Sequence, residues 1–209
     1  QWTFPVHISP HDNETVYAGS QHVHRTQDGG QSWRLISPDL TRNDTTRQQK
    51  TGGLTTEDVS PTYASVLYAI AESPIVPGLI WTGSNDGLVQ LTRDNGETWT
   101  DVTANIPDLL EWGTVSNVEP SRFDPAVAYI TVDFHQLGNS DPFVYGTDDY
   151  GATWRSLSGD IPRSIFSYTD VIREDPTRPG LLDLGTENSL YVSFDDGEAW
   201  LPLQGDLPH

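Results

Sequence analysis

Four copies of one short motif constrain this chain more than any other feature. The motif is Ser/Thr-x-Asp-x-Gly-x-x-Trp, and its copies, here called turn boxes 1 to 4, run over 26–33, 92–99, 147–154 and 193–200. In each box the Asp can accept backbone hydrogen bonds and the Gly can adopt a positive φ, so the motif predicts a tight hairpin turn. The residues expected to build these turns are Asp28, Gly30, Trp33, Asp94, Gly96, Trp99, Asp149, Gly151, Trp154, Asp195, Gly197 and Trp200.

Short β-rich stretches flank every turn box. Val16 to Gly19 and Val23 to Arg25 precede box 1, and Ile80 to Gly83 and Leu88 to Leu91 precede box 2. With one strand before this pair and one after the box, each unit holds four antiparallel strands, which is one blade of a β-propeller. The sequence predicts an all-β fold with blades at about 2–40, 62–107, 113–162 and 166–208, and an inserted surface loop at 41–61.

The tryptophan that ends each box predicts burial. A side chain of this size buries roughly 150–250 Å², which at about 25 cal/mol/Å² is worth several kcal/mol. We therefore expect Trp33, Trp99 and Trp154 to be largely buried beneath their own turns.

The charge balance narrows the range of partners. With 30 acidic against 11 basic residues the net charge is −19, which argues against nucleic acid and anionic membranes. No apolar run approaches the roughly 18 residues that cross a bilayer, and no export signal opens the chain. The absence of cysteine excludes disulfides and thiolate metal sites. Because methionine is also absent, Gln1 is not expected to be the translated start.

The turn boxes resemble the BNR or Asp-box repeats of sialidases, xyloglucanase-like glycosidases, sortilin-type receptors and a photosystem II assembly factor. Over nearly the whole chain, the boxes, their spacing and turns such as Glu174-Asp175-Pro176 are most similar to large exported bacterial proteins labelled glycosyl-hydrolase-like or sortilin-like. This resemblance implies a β-propeller and an extracellular or periplasmic location.

No catalytic residue follows from the resemblance. A sialidase site needs three arginines around a carboxylate and a tyrosine nucleophile, and the arginines here form no such constellation. A glycosidase needs two carboxylates roughly 5–9.5 Å apart, and 30 acidic residues do not reveal the pair. The catalytic residues stay unknown.

Ligands of Asp-box proteins usually bind on the face opposite the boxes, so the candidate binding residues are taken from the loops expected there. The third blade has a longer loop, Asp133 to Pro142, with two carboxylates, an imidazole and an aromatic ring, which suits a sugar or a cation. An exposed Trp112 on an inter-blade link can stack on a sugar ring, with packing between blades as the alternative. The candidates are Trp112, Glu111, Asp133, His135, Asp141, Asn85, Asp86, Glu187 and Asn188.

Metal sites have weak support in the sequence. His22 and His24 alternate on a predicted strand, but no third ligand is identifiable. Asp pairs such as Asp148-Asp149 offer oxygen ligands for Ca²⁺, yet one Asp of each pair belongs to its box. Glu72 and Glu174 occupy equivalent inner-strand ends, where we expect solvated strand ends, with carboxylates near one mouth of the central channel as the alternative. We expect no cofactor, with Ca²⁺ as the alternative.

Two functions of different classes remain open. The first is a non-catalytic binding or scaffold propeller that recognises a polysaccharide or a protein through its loop face. The second is a glycoside hydrolase, or part of one whose active site is completed by residues outside this chain. Because every propeller blade buries both of its faces, the four blades are expected to form an arc whose outer faces meet further blades or another chain.

Overall fold

The chain folds into four antiparallel β-sheets of four strands each, as seen in a computed structural model that describes residues 4–47 and 65–203. Strands within each sheet follow chain order, which is the arrangement of propeller blades. The strands are β1 Val6–Ile8, β2 Val16–Gly19, β3 Val23–Thr26 and β4 Arg34–Leu35 in blade 1; β5 Leu67–Glu72, β6 Ile80–Ser84, β7 Val89–Thr92 and β8 Thr100–Asp101 in blade 2; β9 Thr114–Pro120, β10 Ala128–Asp133, β11 Phe143–Thr147 and β12 Arg155–Ser156 in blade 3; β13 Thr169–Glu174, β14 Leu182–Thr186, β15 Leu190–Ser193 and β16 Leu201–Pro202 in blade 4.

The helical content of the described residues is limited to two single 3₁₀ turns, Thr103–Asn105 and His135–Leu137. No helix in the described ranges is long and apolar enough to cross a membrane. The predicted loop 41–61 lies outside the described residues from position 48 onward. The same holds for positions 2, 3, 62–64 and 204–208 of the predicted blades.

Each turn box is closed by side chain to backbone hydrogen bonds. In box 2 the Thr92 hydroxyl donates to Asp94 Oδ1 at 2.8 Å and accepts from Gly96 N at 3.0 Å. Asp94 also accepts from the backbone N–H of Thr98 at 2.8 Å and from its hydroxyl at 2.6 Å. Gly96 has φ +91°, a value that favours glycine. Boxes 1, 3 and 4 repeat the Asp and Gly contacts.

The boxes also make the contacts between blades. A Cβ atom on Gly96 would lie 2.4 Å from the carbonyl oxygen of Ile36 in blade 1, and one on Gly197 would lie 2.9 Å from Leu157 in blade 3. Glycine therefore permits both the turn and the close approach of the preceding blade. Three hydrophobic clusters lie between consecutive blades, 1 with 2, 2 with 3 and 3 with 4.

Three of the box tryptophans, Trp99, Trp154 and Trp200, contact the preceding blade. Trp200 is 4% exposed and Trp154, whose ring meets Trp81 edge-on at 6.0 Å, is also buried. Trp99 is half-buried. The predicted burial of Trp33 is wrong, because its side chain is 48% exposed. No sheet precedes β1 in the described chain, so Trp33 has no preceding blade to pack against.

Glu72 and Glu174 lie buried between blades, so the expectation of solvated strand ends is wrong. Glu72 Oε1 accepts from the Tyr17 hydroxyl of blade 1 at 3.1 Å, and from Gly78 N at 2.7 Å. Glu174 Oε2 accepts from the Ser121 hydroxyl of blade 3 at 2.6 Å. Each carboxylate therefore joins its blade to the one before it.

Candidate functional site

The meander topology gives the array two opposite edges. The turns between first and second strands and the turn boxes share one edge, because antiparallel strands alternate in direction. The turns between second and third strands and the links between blades share the other edge, which we call the loop face. The predicted binding residues lie in these loop-face segments or at the strand ends next to them.

On the loop face, blades 3 and 4 bring together five side chains, called here the His–Tyr cluster: Asp133, His135, Tyr168, Asp170 and Glu187. The rings of His135 and Tyr168 are stacked, with centroids 4.5 Å apart and planes inclined by 26°. His135 Nδ1 lies 2.5 Å from Asp133 Oδ2, and the His135 backbone N–H donates to Asp133 Oδ1 at 2.8 Å. The Asp133 carboxylate therefore orients the imidazole against the tyrosine ring.

The local sequence explains how these side chains are held. Asp133 ends β10, and Phe134 after it is buried, with its ring 4.7 Å from that of Phe143. The chain then makes the 3₁₀ turn His135–Leu137, which ends at Gly138 with φ +81°. The His135 side chain is therefore exposed, whereas the buried Phe134 packs the start of the loop against the core.

The second half of the cluster comes from blade 4. Tyr168 immediately precedes β13, Asp170 lies within it, and Glu187 follows β14. The Glu187 backbone N–H donates to the Tyr168 carbonyl at 3.3 Å, which holds the turn and the strand start together. The cluster is thus built across the contact between two blades.

Negative charge dominates the electrostatics of the cluster. Burial raises the pKa of the Asp170 carboxyl, and the nearby carboxylates of Asp133 and then Glu187 raise it further, while His135 acts in the opposite sense. The pKa of Tyr168 is raised to about 12, first by burial and then by its hydrogen bond to Glu187. The site therefore has three acceptor groups beside one aromatic stack, and it favours ligands that donate hydrogen bonds.

The rim of the cluster is partly apolar. Asp141, another predicted residue, lies near it and pairs with Arg163 at 2.9 Å, and the Ser167 hydroxyl donates to the Ser140 carbonyl at 2.8 Å. These contacts fix the link between blades 3 and 4 against the loop of blade 3. Ile165 and Phe166 on that link have exposed side chains. The predicted Asn188 is exposed at the tip of the neighbouring turn.

A second set of predicted residues lies where blades 2 and 3 meet. Asn85 and Asp86 are buried, and Asp86 accepts from the Arg42 backbone N–H at 2.9 Å. Glu111 is exposed, and its carboxylate is 3.8 Å from the Arg42 guanidinium. These residues bind the link after blade 1 to blade 2.

The expected exposure of Trp112 is not found. Its ring is buried, with the guanidinium of Arg42 at 5.2 Å and that of Arg47 at 4.3 Å from its centroid. The two guanidinium groups cover the face of the ring. Trp112 is therefore a packing residue, which is the alternative to a sugar platform. The structure therefore separates the candidates into the His–Tyr cluster and a packed group around Trp112.

The histidines of blade 1 do not form a cluster of ligands. β3 begins at Val23, so His22 precedes the strand, and His24 Nε2 is 2.8 Å from the Ser20 hydroxyl. In residues 4–47 and 65–203 no three His, Cys, Asp or Glu side chains are grouped so that they could hold a metal ion.

Comparison with known proteins identifies the fold. No family model matches the sequence, and no curated protein matches it significantly. The GH74 xyloglucanase from Xanthomonas campestris superposes with a TM-score of 0.67 at 18% identity, over 96% of this chain and 30% of the enzyme. An ancestral GH74 enzyme gives 0.70 at 14% identity, over 97% and 24% of the two chains. YCF48 from Cyanidioschyzon merolae is less similar, with a TM-score of 0.47 and 24% identity over 66% of this chain and 36% of YCF48.

These similarities support a β-propeller and nothing finer, because the identities are below 25%. The chain spans less than a third of the length of either GH74 protein.

Proposed function

We propose that this chain is a non-catalytic β-propeller module that binds a neutral polysaccharide at the His–Tyr cluster. The observation that carries the proposal is the stacked pair of His135 and Tyr168 beside the carboxylates of Asp133, Asp170 and Glu187 on an exposed edge of the propeller. Sugars present hydroxyl donors around an apolar ring, so carboxylates and aromatic side chains match the two parts of that ligand.

The charge of the chain favours a neutral ligand. A net charge of −19 repels anionic polymers over the range that salt leaves unscreened. A polyuronate or sulfated glycan would add its own charges to the three carboxylates of the cluster. The GH74 xyloglucanases, which share the fold, are named for a polysaccharide substrate, and an extracellular or periplasmic location fits such a ligand.

Binding to a panel of neutral and anionic polysaccharides, by affinity electrophoresis or calorimetry, tests the proposal. Tyr168→Ala and His135→Ala should each weaken binding by about fivefold, since a stacking contact is worth about 1 kcal/mol. Tyr68→Ala removes an exposed tyrosine from blade 2 and should leave the affinity unchanged. Absence of binding to every neutral polysaccharide, binding that Tyr168→Ala does not alter, or selective binding of a protein at Ile165 and Phe166 would overturn it.

A glycoside hydrolase is the second candidate, and the grouping of the Asp133, Asp170 and Glu187 carboxyls in one exposed cluster favours it. A glycosidase uses one carboxyl as general acid and a second as nucleophile or base, and this cluster brings three carboxyls together. The release of reducing sugar by the purified chain separates the two candidates. Hydrolysis that is lost in Asp170→Asn, with binding retained, would establish the enzyme, whereas binding without release supports the module.

A further inference from the structure

At each blade boundary of the described chain, an arginine of one blade contacts the turn box of the next. The contacted residue follows the box aspartate and has a φ of +60° or +61° in all three boxes. The pairs are Arg25 with Asn95, Arg93 with Tyr150 and Arg155 with Asp196. The arginine therefore meets an amide in box 2, an aromatic ring in box 3 and a carboxylate in box 4.

The boundary between blades 1 and 2 has a second arginine. Arg34 begins β4 and lies directly opposite Arg25 on β3, so the two side chains share the face that is turned to blade 2. Arg34 has the position in blade 1 that Arg155, the first residue of β12, has in blade 3. Arg155 pairs with the Asp196 carboxylate, whereas Asn95, the corresponding residue of box 2, is neutral.

This arrangement leaves two positive charges without a balancing carboxylate. No carboxylate oxygen of the described residues lies within 4.0 Å of a side-chain nitrogen of Arg25 or Arg34. Like charges directly opposite each other in a sheet repel and destabilise it. Arg155 avoids this cost, because its cross-strand neighbour is Gly146. An anion between the two guanidinium groups would remove the repulsion in blade 1.

A cavity of about 340 Å³ opens beside the two arginines. This volume is within the range of roughly 300–1,000 Å³ that holds small molecules. Leu35 and Pro38 contribute apolar atoms to the wall, and Asp94 and Glu97 also border the cavity. The Asp94 carboxylate is occupied by the hydrogen bonds of its own turn box, and Glu97 is exposed to solvent. Charged donors for a ligand therefore come from the two guanidinium groups, beside an apolar wall.

We propose that this cavity binds the carboxylate of a small organic acid between Arg25 and Arg34. A guanidinium group can donate two parallel hydrogen bonds to a carboxylate, and the apolar wall suits a short hydrocarbon part. The bound carboxylate takes the role that Asp196 has at the boundary of blades 3 and 4. The net charge of −19 disfavours a polyanion, so the ligand carries few negative charges. Because the cavity lies beside turn box 2, on the edge opposite the loop face, the proposal is independent of the His–Tyr cluster.

Calorimetric titration of the chain with benzoate and with succinate at low ionic strength tests the site, with the neutral amide benzamide as the control ligand. At least one of the two acids should bind, and benzamide should not. Arg34→Gln should weaken the binding of the acid by at least about tenfold, because it removes a charged donor. Arg155→Gln removes the same charge from the corresponding position of blade 3. This matched control should leave the affinity unchanged, since that guanidinium is already paired.

Asn95→Asp tests the comparison between the two boundaries. It supplies the carboxylate that box 4 has at this position, so it should compete with the ligand and weaken its binding by at least about tenfold. It should also raise the urea midpoint of the ligand-free chain, because it balances the two like charges. Circular dichroism checks that each variant is folded. The proposal is overturned by no binding of either acid up to about 10 mM, by equal losses in Arg34→Gln and Arg155→Gln, by an unchanged affinity in Asn95→Asp, or by tighter binding of phosphate than of both acids.

Discussion

The indole Nε1 of Trp200 donates a 2.7 Å hydrogen bond to the main-chain carbonyl of Leu157 in the preceding blade. Trp99 makes the same bond to Ile36 at 3.0 Å. In boxes 2 and 4 the tryptophan therefore stabilises the contact between two blades.

Trp200→Ala should lower the free energy of unfolding by about 3–5 kcal/mol, because it removes a buried aromatic side chain. Trp200→Phe keeps most of the apolar area but leaves the Leu157 carbonyl without its donor, and should cost about 1–3 kcal/mol. Urea denaturation followed by circular dichroism measures both.

Trp33 offers the matched control, since it occupies the same position in box 1 but is exposed. Trp33→Ala should cost less than about 1 kcal/mol, because much of this side chain stays exposed to water in the folded protein. Equal losses for Trp33 and Trp200 would contradict an inter-blade role for the box tryptophan.

The strand pattern of this chain could be predicted because it is local. Each hairpin is specified by alternating apolar residues in its strands and by a turn box of eight residues. In box 2, Thr92, Asp94 and Gly96 close the turn through hydrogen bonds to one another. The exposure of Trp33 could not be predicted from its box, since the motif is complete. Burial of that side chain depends on a neighbouring blade, which is not a property of the eight residues.

A second inter-blade bond gives another prediction. Ser121→Ala removes the 2.6 Å hydrogen bond from a buried hydroxyl to the Glu174 carboxylate, which joins blades 3 and 4. A hydrogen bond to a charged acceptor is worth about 1.5–3 kcal/mol, so the free energy of unfolding should fall by that amount. Ser156→Ala, at an exposed outer strand, should change stability by less than about 0.5 kcal/mol. Similar small effects of both substitutions in urea titrations would refute the assignment.

The candidate site was predictable only in part. The unusual length and composition of the loop after β10 pointed to Asp133 and His135, but their partners Tyr168 and Asp170 lie more than 30 residues away. Only the packing of blade 4 on blade 3 brings these residues together. The position of Trp112 on an inter-blade link predicts an exposed ring that could stack on a sugar. The ring is buried because Arg42, from a link 70 positions earlier, covers it.

The turn boxes should make the fold sensitive to acid. Hydrogen bonds from the Thr98 hydroxyl and backbone hold the pKa of Asp94 at about 2, below its ordinary value of 3.8. A carboxyl with a lowered folded pKa contributes stability that is full above about pH 4 and is lost as the pH falls through about 2. The pKa of Asp28 is also about 2, and those of Asp149 and Asp195 are lowered too. The urea midpoint should therefore fall steeply between pH 4 and pH 2.

Asp94→Asn isolates the contribution of one box, because the amide does not titrate. The variant should be less stable than the wild type at pH 6 and should lose less stability between pH 4 and pH 2. Parallel pH profiles of wild type and variant would show that the box carboxylate does not cause the acid sensitivity.

The crowding of carboxylates in the His–Tyr cluster predicts the opposite pH dependence at Asp170. Burial, Asp133 and Glu187 raise its pKa above the ordinary 3.8, so ionisation of Asp170 disfavours the folded state. Its contribution to stability is present below about pH 4 and is lost as the pH rises through the raised folded pKa. Asp170→Asn removes this charge at nearly constant size, so thermal unfolding should occur at a higher temperature than in the wild type at pH 7. At pH 3, where the wild-type carboxyl is protonated, the two proteins should unfold at the same temperature.

Asp183→Asn removes an exposed charge from the same blade and controls for the overall charge of the chain. A gain in Asp170→Asn that is equal at pH 3 and pH 7, or equal to that of Asp183→Asn, would mean that the three carboxylates do not repel one another and that the cluster does not form.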